Sequence, residues 1–152
     1  MQPTLNIAVR AARSAGRILL RYFDRLEQLT IQTKSRNDFV SEVDRGAEQA
    51  IIQELRGRFP DHAILAEESG SQGNSEFEWV IDPLDGTTNY LHGFPQFSVS
   101  IALRHRGRLE CGVVYDPLHE EMFTAARGEG TQLNDRRVRV ANRTSLEGAL
   151  IG

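Results

Sequence analysis

The spacing of apolar residues changes at Pro60, and this change constrains the fold more than any other feature of the sequence. Before Pro60, apolar residues recur every three or four positions over Leu5 to Leu26 and again over Val40 to Leu55, which predicts two amphipathic helices. The segment from Thr30 to Asn37 between them is polar, so we expect a loop or a frayed strand there. Pro60 ends the second helix because proline cannot continue the hydrogen-bond ladder.

After Pro60, short apolar runs separated by turn residues predict β-strands. They are Ala63 to Ala66, Trp79 to Ile81, Ser98 to Leu103, Leu109 to Asp116, Glu121 to Ala126, and a hairpin within Gln132 to Val140. The segment Ser69 to Ser75 is rich in Gly, Ser and Asn and predicts a surface loop. Two helices followed by mainly antiparallel strands give an α+β fold, with the helices packed on a sheet.

Composition narrows the classes of function. The chain has 152 residues, enough for one domain, and a net charge of -3, without the basic excess that bulk nucleic-acid binding usually shows. Its one cysteine, Cys111, cannot form an intrachain disulfide, and its apolar neighbours predict a core position. A reducing, cytoplasmic location fits this usage, and no segment approaches the length of a membrane span.

Acidic residues cluster at the predicted ends of two strands. The five carboxylates of interest are Asp44, Glu67, Glu68, Asp82 and Asp85, and all except Asp44 sit at the ends of apolar strands. A strand end projects side chains from a rigid scaffold, and several carboxylates brought together repel one another unless protons or cations neutralise them. Hard divalent cations prefer oxygen ligands, and Mg²⁺ is the commonest partner of phosphate chemistry.

The run Asp82-Pro83-Leu84-Asp85-Gly86 can direct several oxygen atoms toward one point. Pro83 fixes φ, so that both aspartates and the Leu84 carbonyl can turn toward one point, and Gly86 allows a sharp turn. The next residues look like the first turn of a helix, where free N–H groups favour phosphate. Taken alone, the run is also typical of a turn with solvated acids, and Glu67-Glu68 of a surface pair.

Four motifs together resemble the inositol monophosphatase family. The run WVIDPLDGTTNY at residues 79–90, followed by Phe94-Pro95, looks like the family signature. Ala66 to Ser69 is similar to its upstream acidic motif, and DFVSEVD at residues 38–44 resembles its helix-opening motif. The run GVVYDP at residues 112–117 matches a strand common in bacterial members, so the resemblance covers essentially the whole chain.

The resemblance implies the family fold and a Mg²⁺-dependent phosphatase. The expected reaction is hydrolysis of small phosphate monoesters such as inositol 1-phosphate by direct attack of a metal-activated water, with lithium sensitivity. The implied metal ligands are Glu67, Asp82, the Leu84 carbonyl and Asp85. A first Mg²⁺ would use the first three, and a second would use the two aspartates.

The same resemblance implies the catalytic and substrate contacts. Glu68 and Thr87 would position the attacking water, with Asp44 supporting Thr87 through a hydrogen bond. The substrate-binding residues implied are Asp85, Gly86, Thr87 and Thr88.

Family members are considerably longer than this chain. Their C-terminal half carries a second acidic motif and much of the contact to the alcohol part of the substrate. We therefore expect residues 1–152 to be a truncated, N-terminal metal-binding domain that binds metal weakly and turns over little alone. A homodimer is expected only for the full-length form.

Two other functions fit the same motifs. The segment Leu5 to Arg13 is similar to bacterial members that bind the transcription machinery and act in ribosomal RNA synthesis. A related phosphatase acting on a sugar bisphosphate or a nucleotide 3′-phosphate shares the metal motif, although the short segment Ser69 to Ser75 favours the simpler monophosphatase.

Overall fold

The computed structural model describes residues 3–26 and 33–151, which form two long helices followed by a sheet. The helices are α1 (Pro3–Leu26) and α2 (Thr33–Arg58), and a short helix α3 (Thr87–Leu91) interrupts the strands. The strands are β1 (Ala63–Ala66), β2 (Gly70–Gln72), β3 (Phe77–Asp85), β4 (Ser98–His105), β5 (Arg108–Asp116), β6 (Glu121–Ala126), β7 (Gly130–Leu133) and β8 (Arg136–Val138). None of the described helices is long and apolar enough to cross a membrane.

All eight strands form one sheet in the order β2-β1-β3-β4-β5-β6-β7-β8. Every neighbouring pair is antiparallel except β1 and β3, which run parallel. The α+β class and the mainly antiparallel sheet predicted from the sequence are therefore confirmed.

The two long helices pack against each other and on one face of the sheet. Helix α1 contacts β4, β5 and β6, whereas α2 contacts β3 and α3. Small residues on α1, such as Ala11 and Ala15, are fully buried and let the helix approach closely. Every second residue of the central strands, including Ile101, Cys111 and Val113, is buried beneath the helices, as the alternating pattern predicts. Burying each large apolar side chain contributes about 1.5–3 kcal/mol.

Helix α2 begins earlier than the apolar spacing predicts. Residues 33–37 belong to the segment expected to be a loop or frayed strand, but they are helical, and that expectation is wrong for them. The rest of that segment, residues 30–32, lies outside the described residues. Once the buried part of α2 is fixed, each further turn adds hydrogen bonds at little cost, so polar residues can extend it. Arg36 also donates a 3.0 Å hydrogen bond to the Leu26 carbonyl at the end of α1.

Strands β2 and β3 depart most from the expected boundaries. The predicted loop Ser69 to Ser75 contains β2, which pairs antiparallel with β1, so three of its residues are strand. Strand β3 continues past Ile81 to Asp85, with an irregular register between Asp82 and Asp85 where they pair with β4. Pairing with a neighbouring strand explains both extensions, and hydrophobic spacing within a segment does not report it.

Candidate active site

The parallel pairing of β1 and β3 brings two acidic strand ends together. Ala66 pairs with Ile81, and the N–H of Glu67 donates a 3.1 Å hydrogen bond to the Ile81 carbonyl. Because the strands run in the same direction, their next residues, Glu67 and Asp82, emerge at the same edge of the sheet. The side chains of Glu67 and Asp82 lie close enough there for Glu67 to raise the pKa of Asp82.

Burial and neighbouring charge raise the pKa of Asp82 above its ordinary value. Burial is the largest cause, followed by the hydrogen bond and the charge of Glu67 and by the charge of Asp85. The N–H of Leu84, which lies 3.2 Å from Oδ1 of Asp82, opposes the rise because it stabilises the charged form. Asp82 therefore holds its proton well above the usual pH range of an aspartic acid.

Asp44 lies on α2 beside this pair, although 38 positions separate it from Asp82 in the sequence. Its side chain is 3% exposed, and burial raises its pKa from 3.8 to about 7, with the charges of Glu68, Glu67, Asp82 and Glu48 adding to the effect. Oδ1 of Asp44 is buried and has no hydrogen-bond partner among the described residues. A buried oxygen without a partner is costly, so this atom is suited to accept from a ligand or to take up a proton.

Glu48 belongs to the site but is not among the residues singled out from the sequence. It lies one turn after Asp44, is 1% exposed, and accepts hydrogen bonds from the backbone N–H groups of Glu68 at 2.8 Å and Ser69 at 3.0 Å. The signal for it is present in the sequence: Glu48 sits between Ala47 and Ile51, on the apolar face of the helix. An acid on that face requires a partner in the interior.

The turn after β3 is organised around the Leu84 carbonyl. Leu84 is buried, and its carbonyl oxygen accepts a 3.0 Å hydrogen bond from the Thr87 hydroxyl. In this structure the Thr87 hydroxyl donates to Leu84 rather than to Asp44, and the hydrogen bond between Thr87 and Asp44 that the resemblance implies stays a prediction. Proximity along the turn explains the choice, since three residues separate Thr87 from Leu84 in the sequence.

Gly86 is required at the start of α3 for two reasons. It adopts φ 95° and ψ 35°, the left-handed region that favours glycine. A Cβ at this position would also meet the Gln96 carbonyl oxygen at 3.0 Å and Phe97 Cα at 3.3 Å. Thr87 and Thr88 follow in the exposed first turn of α3, where N–H groups have no partner within the helix.

The structure gathers the predicted site residues but does not bring the acids into one ligand set. Among the residues that the structure describes, no three Asp, Glu, His or Cys side chains are placed to hold a metal ion. Glu67 contacts Asp82, while Asp85 influences Asp82 only through its charge. Repulsion between like charges, together with the Leu84 N–H bond to Asp82, accounts for the separation.

The donors nevertheless have the chemistry that Mg²⁺ prefers. Carboxylate and carbonyl oxygens are hard ligands, and Oδ1 of Asp44 has no hydrogen-bond partner among the described residues. Glu67 and Asp85 are exposed, so their side chains are free to turn toward a cation. The residues therefore fit the metal chemically, with side-chain rotation needed to complete the ligand set.

Comparison with known proteins identifies a family. The model of the inositol monophosphatase family matches residues 1–152. Nus factor SuhB of Pseudomonas aeruginosa is 55% identical over 156 residues, which cover 100% of this chain and 58% of that protein. Nus factor SuhB of Escherichia coli K12 is 48% identical over 153 residues, which cover 99% of this chain and 57% of that protein. The chain thus spans a little over half the length of these relatives.

Solved structures give the same result for the fold. The extragenic suppressor protein suhB from Bartonella henselae is 44% identical with a TM-score of 0.85, and the match covers 96% of this chain and 57% of that chain. An inositol monophosphatase from Anabaena (Nostoc) is 42% identical with a TM-score of 0.81, covering 93% of this chain and 51% of that chain. The helices and sheet described above therefore recur in larger proteins of this type.

Proposed function

The chain belongs to the inositol monophosphatase family, and from this premise we propose that it forms the Mg²⁺-binding, water-activating part of a phosphatase for small phosphate monoesters such as inositol 1-phosphate. The neighbouring acids Glu67 and Asp82, which directly follow the last paired residues of β1 and β3, carry the proposal. The charge of Asp85 also raises the pKa of Asp82, and the charges of Glu67 and Asp82 raise the pKa of nearby Asp44. Gathering acids in this way opposes folding, and a bound cation would offset that cost.

The residues that would hold Mg²⁺ are Glu67, Asp82, Asp85 and the carbonyl of Leu84. Bound there, Mg²⁺ would neutralise negative charge on the phosphate and make water more acidic. Because burial and the neighbouring acids raise the pKa of Asp82, this residue has to lose a proton before it can act as a ligand. Loading is therefore expected to release protons and to strengthen as pH rises toward neutrality.

The attacking water would be oriented by Glu68 and Thr87. Glu68 is exposed, so its carboxylate can accept a proton from water at the site. The Thr87 hydroxyl donates a hydrogen bond to the Leu84 carbonyl oxygen. The lone pairs of the Thr87 oxygen therefore remain available to accept a hydrogen bond from that water. Asp44, buried behind Glu68, acts on the site through its charge and its Oδ1 atom.

The phosphate would lie against the start of α3, with Asp85 beside it. The backbone N–H groups of Gly86, Thr87 and Thr88 would donate to its oxygens, since the first turn of a helix leaves such groups without partners. Gly86 is needed in this turn because its backbone is left-handed and because Gln96 and Phe97 leave no room for a Cβ. A panel of inositol, sugar and nucleotide phosphates, offered to a full-length relative, would separate this substrate class from sugar-bisphosphate and nucleotide 3′-phosphate hydrolysis.

Mg²⁺ titration by calorimetry tests the proposal. We expect the wild-type chain to bind Mg²⁺ at pH 7.5, and Asp82→Asn to weaken the binding by about 10-fold or more, since it removes a charged ligand. Asp61→Asn is the matched control, because Asp61 is exposed and precedes β1, at the opposite end of that strand from Glu67. Absence of binding to the wild-type chain, or equal affinity of the wild-type and Asp82→Asn chains, would reject the proposal.

A second candidate function follows from the relatives named Nus factor SuhB, which are 48–55% identical to this chain in P. aeruginosa and E. coli. In this alternative the chain is part of a protein that binds the transcription machinery, and the two functions can coexist. A pull-down against RNA polymerase and its elongation factors tests the binding. A growth assay with Asp85→Ala separates the two functions, because rescue by this variant would assign the cellular role to binding.

A further inference from the structure

A buried carboxylate on α2 holds the backbone that carries Glu68. Glu48 is 1% exposed, and its two oxygens accept hydrogen bonds from the N–H groups of Glu68 at 2.8 Å and Ser69 at 3.0 Å. These bonds join a helix to a loop 20 positions later in the chain. Hydrogen bonds to a carboxylate are among the stronger ones in proteins, so this contact fixes the loop against α2.

The loop formed by residues 67–69 needs such a restraint. At its start, the N–H of Glu67 bonds to Ile81 as part of the sheet, and beyond it Gly70 pairs with Ala66. The N–H groups of Glu68 and Ser69 instead turn away from the sheet ladder toward α2. The charges of Glu67 and Glu68 both act on buried Asp44, and mutual repulsion favours an outward movement of the loop.

We propose that Glu48 is a positioning residue that fixes the loop of residues 67–69, so that the carboxylates of Glu67 and Glu68 are directed toward the cation and its water. This inference rests on the proposed function, which gives those two carboxylates their roles. Glu48 restrains the backbone and leaves both side chains free for ligands. Because its oxygens are engaged with N–H groups in the interior, Glu48 itself touches neither metal nor substrate.

Glu48→Gln tests the proposal with little change in shape. The amide keeps one acceptor oxygen but turns an NH₂ group toward a backbone N–H, so at least one of the two bonds is lost. We expect hydrogen exchange of the Glu68 and Ser69 amides to accelerate by about tenfold or more. The Glu67 amide, bonded to Ile81 within the sheet, should keep its exchange rate.

The same variant should bind Mg²⁺ about 10–100-fold more weakly, as expected when a residue that orients a ligand is lost. Glu42→Gln is the matched control, because Glu42 lies exposed on the same helix and the change in charge is identical. Glu48→Asp retains the carboxylate but shortens its reach by one methylene, and should give intermediate exchange and affinity.

The outcomes separate this inference from the proposed function. No Mg²⁺ binding by the wild-type chain rejects the proposed function and, with it, the role of Glu48. Wild-type binding with unchanged affinity or unchanged amide exchange in Glu48→Gln rejects the positioning role alone. If Glu48→Gln does not unfold cooperatively, Glu48→Asp takes its place. If neither folds while Glu42→Gln does, Glu48 serves the fold and the positioning role is rejected.

Discussion

The hydroxyl of Tyr90 donates a 2.7 Å hydrogen bond to the carbonyl oxygen of Leu19, across 71 positions of sequence. Tyr90 is fully buried, and its ring packs against Phe23 of α1 and Phe97 before β4. One side chain thus anchors α3, with Gly86 and Thr87 at its start, to the first helix. The geometry of the candidate site therefore depends on α1, although none of its candidate residues lies on that helix.

Tyr90→Phe tests this anchor. It retains the aromatic packing and removes only the hydroxyl, so we expect a loss of about 1 kcal/mol in the free energy of unfolding, within a range of about 0.5–1.5. The loss stays modest because the Leu19 carbonyl can keep its hydrogen bond within α1. Urea denaturation measures it, and Tyr22→Phe is the matched control, because Tyr22 is only partly buried on α1. An equal loss of unfolding free energy in both variants would show that the Tyr90 hydroxyl does not anchor α3.

Gly86→Ala should destabilise the chain, because the backbone is left-handed there and the new Cβ would meet the Gln96 carbonyl oxygen at 3.0 Å. The left-handed backbone conformation alone costs a residue with a Cβ about 1–2 kcal/mol. Gly46→Ala is the control: Gly46 lies within α2 with no atom within 4 Å of an added Cβ, so alanine should stabilise by about 0.5–1 kcal/mol. Thermal unfolding of the two variants should shift in opposite directions, and shifts of the same sign would contradict the geometry.

Asp44 should make stability depend on pH when Mg²⁺ is chelated. Burial raises its pKa in the folded chain from 3.8 to about 7, so the folded state binds this proton more tightly than the unfolded state. The resulting stabilisation is fully present below about pH 3.8 and is lost as the pH rises through about 7. Asp44→Asn removes this contribution, so its free energy of unfolding should fall less than that of the wild type between pH 4.5 and 8.

Urea titrations with EDTA at several pH values measure this difference. Asp38→Asn is the control, because Asp38 is exposed on the same helix. Wild-type and Asp44→Asn curves that stay parallel over the whole range would show that Asp44 titrates alike in the folded and unfolded chains.

The 152-residue chain alone should release phosphate from inositol 1-phosphate slowly, even with Mg²⁺ present. Asp85, Thr87 and Thr88 are exposed, and the chain covers a little over half the length of its relatives. The resemblance assigns a further metal ligand and most substrate contacts to the remaining part of family members. A phosphate-release assay beside a full-length relative, with Asp85→Ala as the negative control, measures the difference. Turnover equal to that of the full-length relative would contradict the expectation.

Local pattern was enough to predict most elements of the fold. Three- and four-residue spacing indicated α1 and the buried part of α2, and the run from Glu121 to Ala126 matches β6 at both ends. Alternating burial in β4 and β5 follows from two-residue spacing. The largest boundary errors, at residues 33–37, at β2 and at the end of β3, lie where contacts with other elements set the boundary.

In the candidate site, too, local sequence predicted some features and contacts between distant segments decided others. Residue type and position at strand ends indicated Glu67, Asp82 and Asp85, because an acidic pair ends one predicted strand and an acid-rich turn ends the next. The hydrogen bond of Thr87 to Leu84 and the buried role of Glu48 were not predicted. Each depends on which of several polar partners lies nearest in space, and spacing along the chain does not fix that.

The sequence by itself determined where helices and strands form and which acids are available, since both follow from the side chains of neighbouring residues. Only the tertiary structure decided that β1 runs parallel to β3, which sets Glu67 beside Asp82, and that α2 brings Asp44 and Glu48 beneath them. The physical reason is that strand direction and the burial of charge are settled by the packing of distant segments. The contacts that stabilise this packing join segments that are distant in the sequence, so no single segment specifies them.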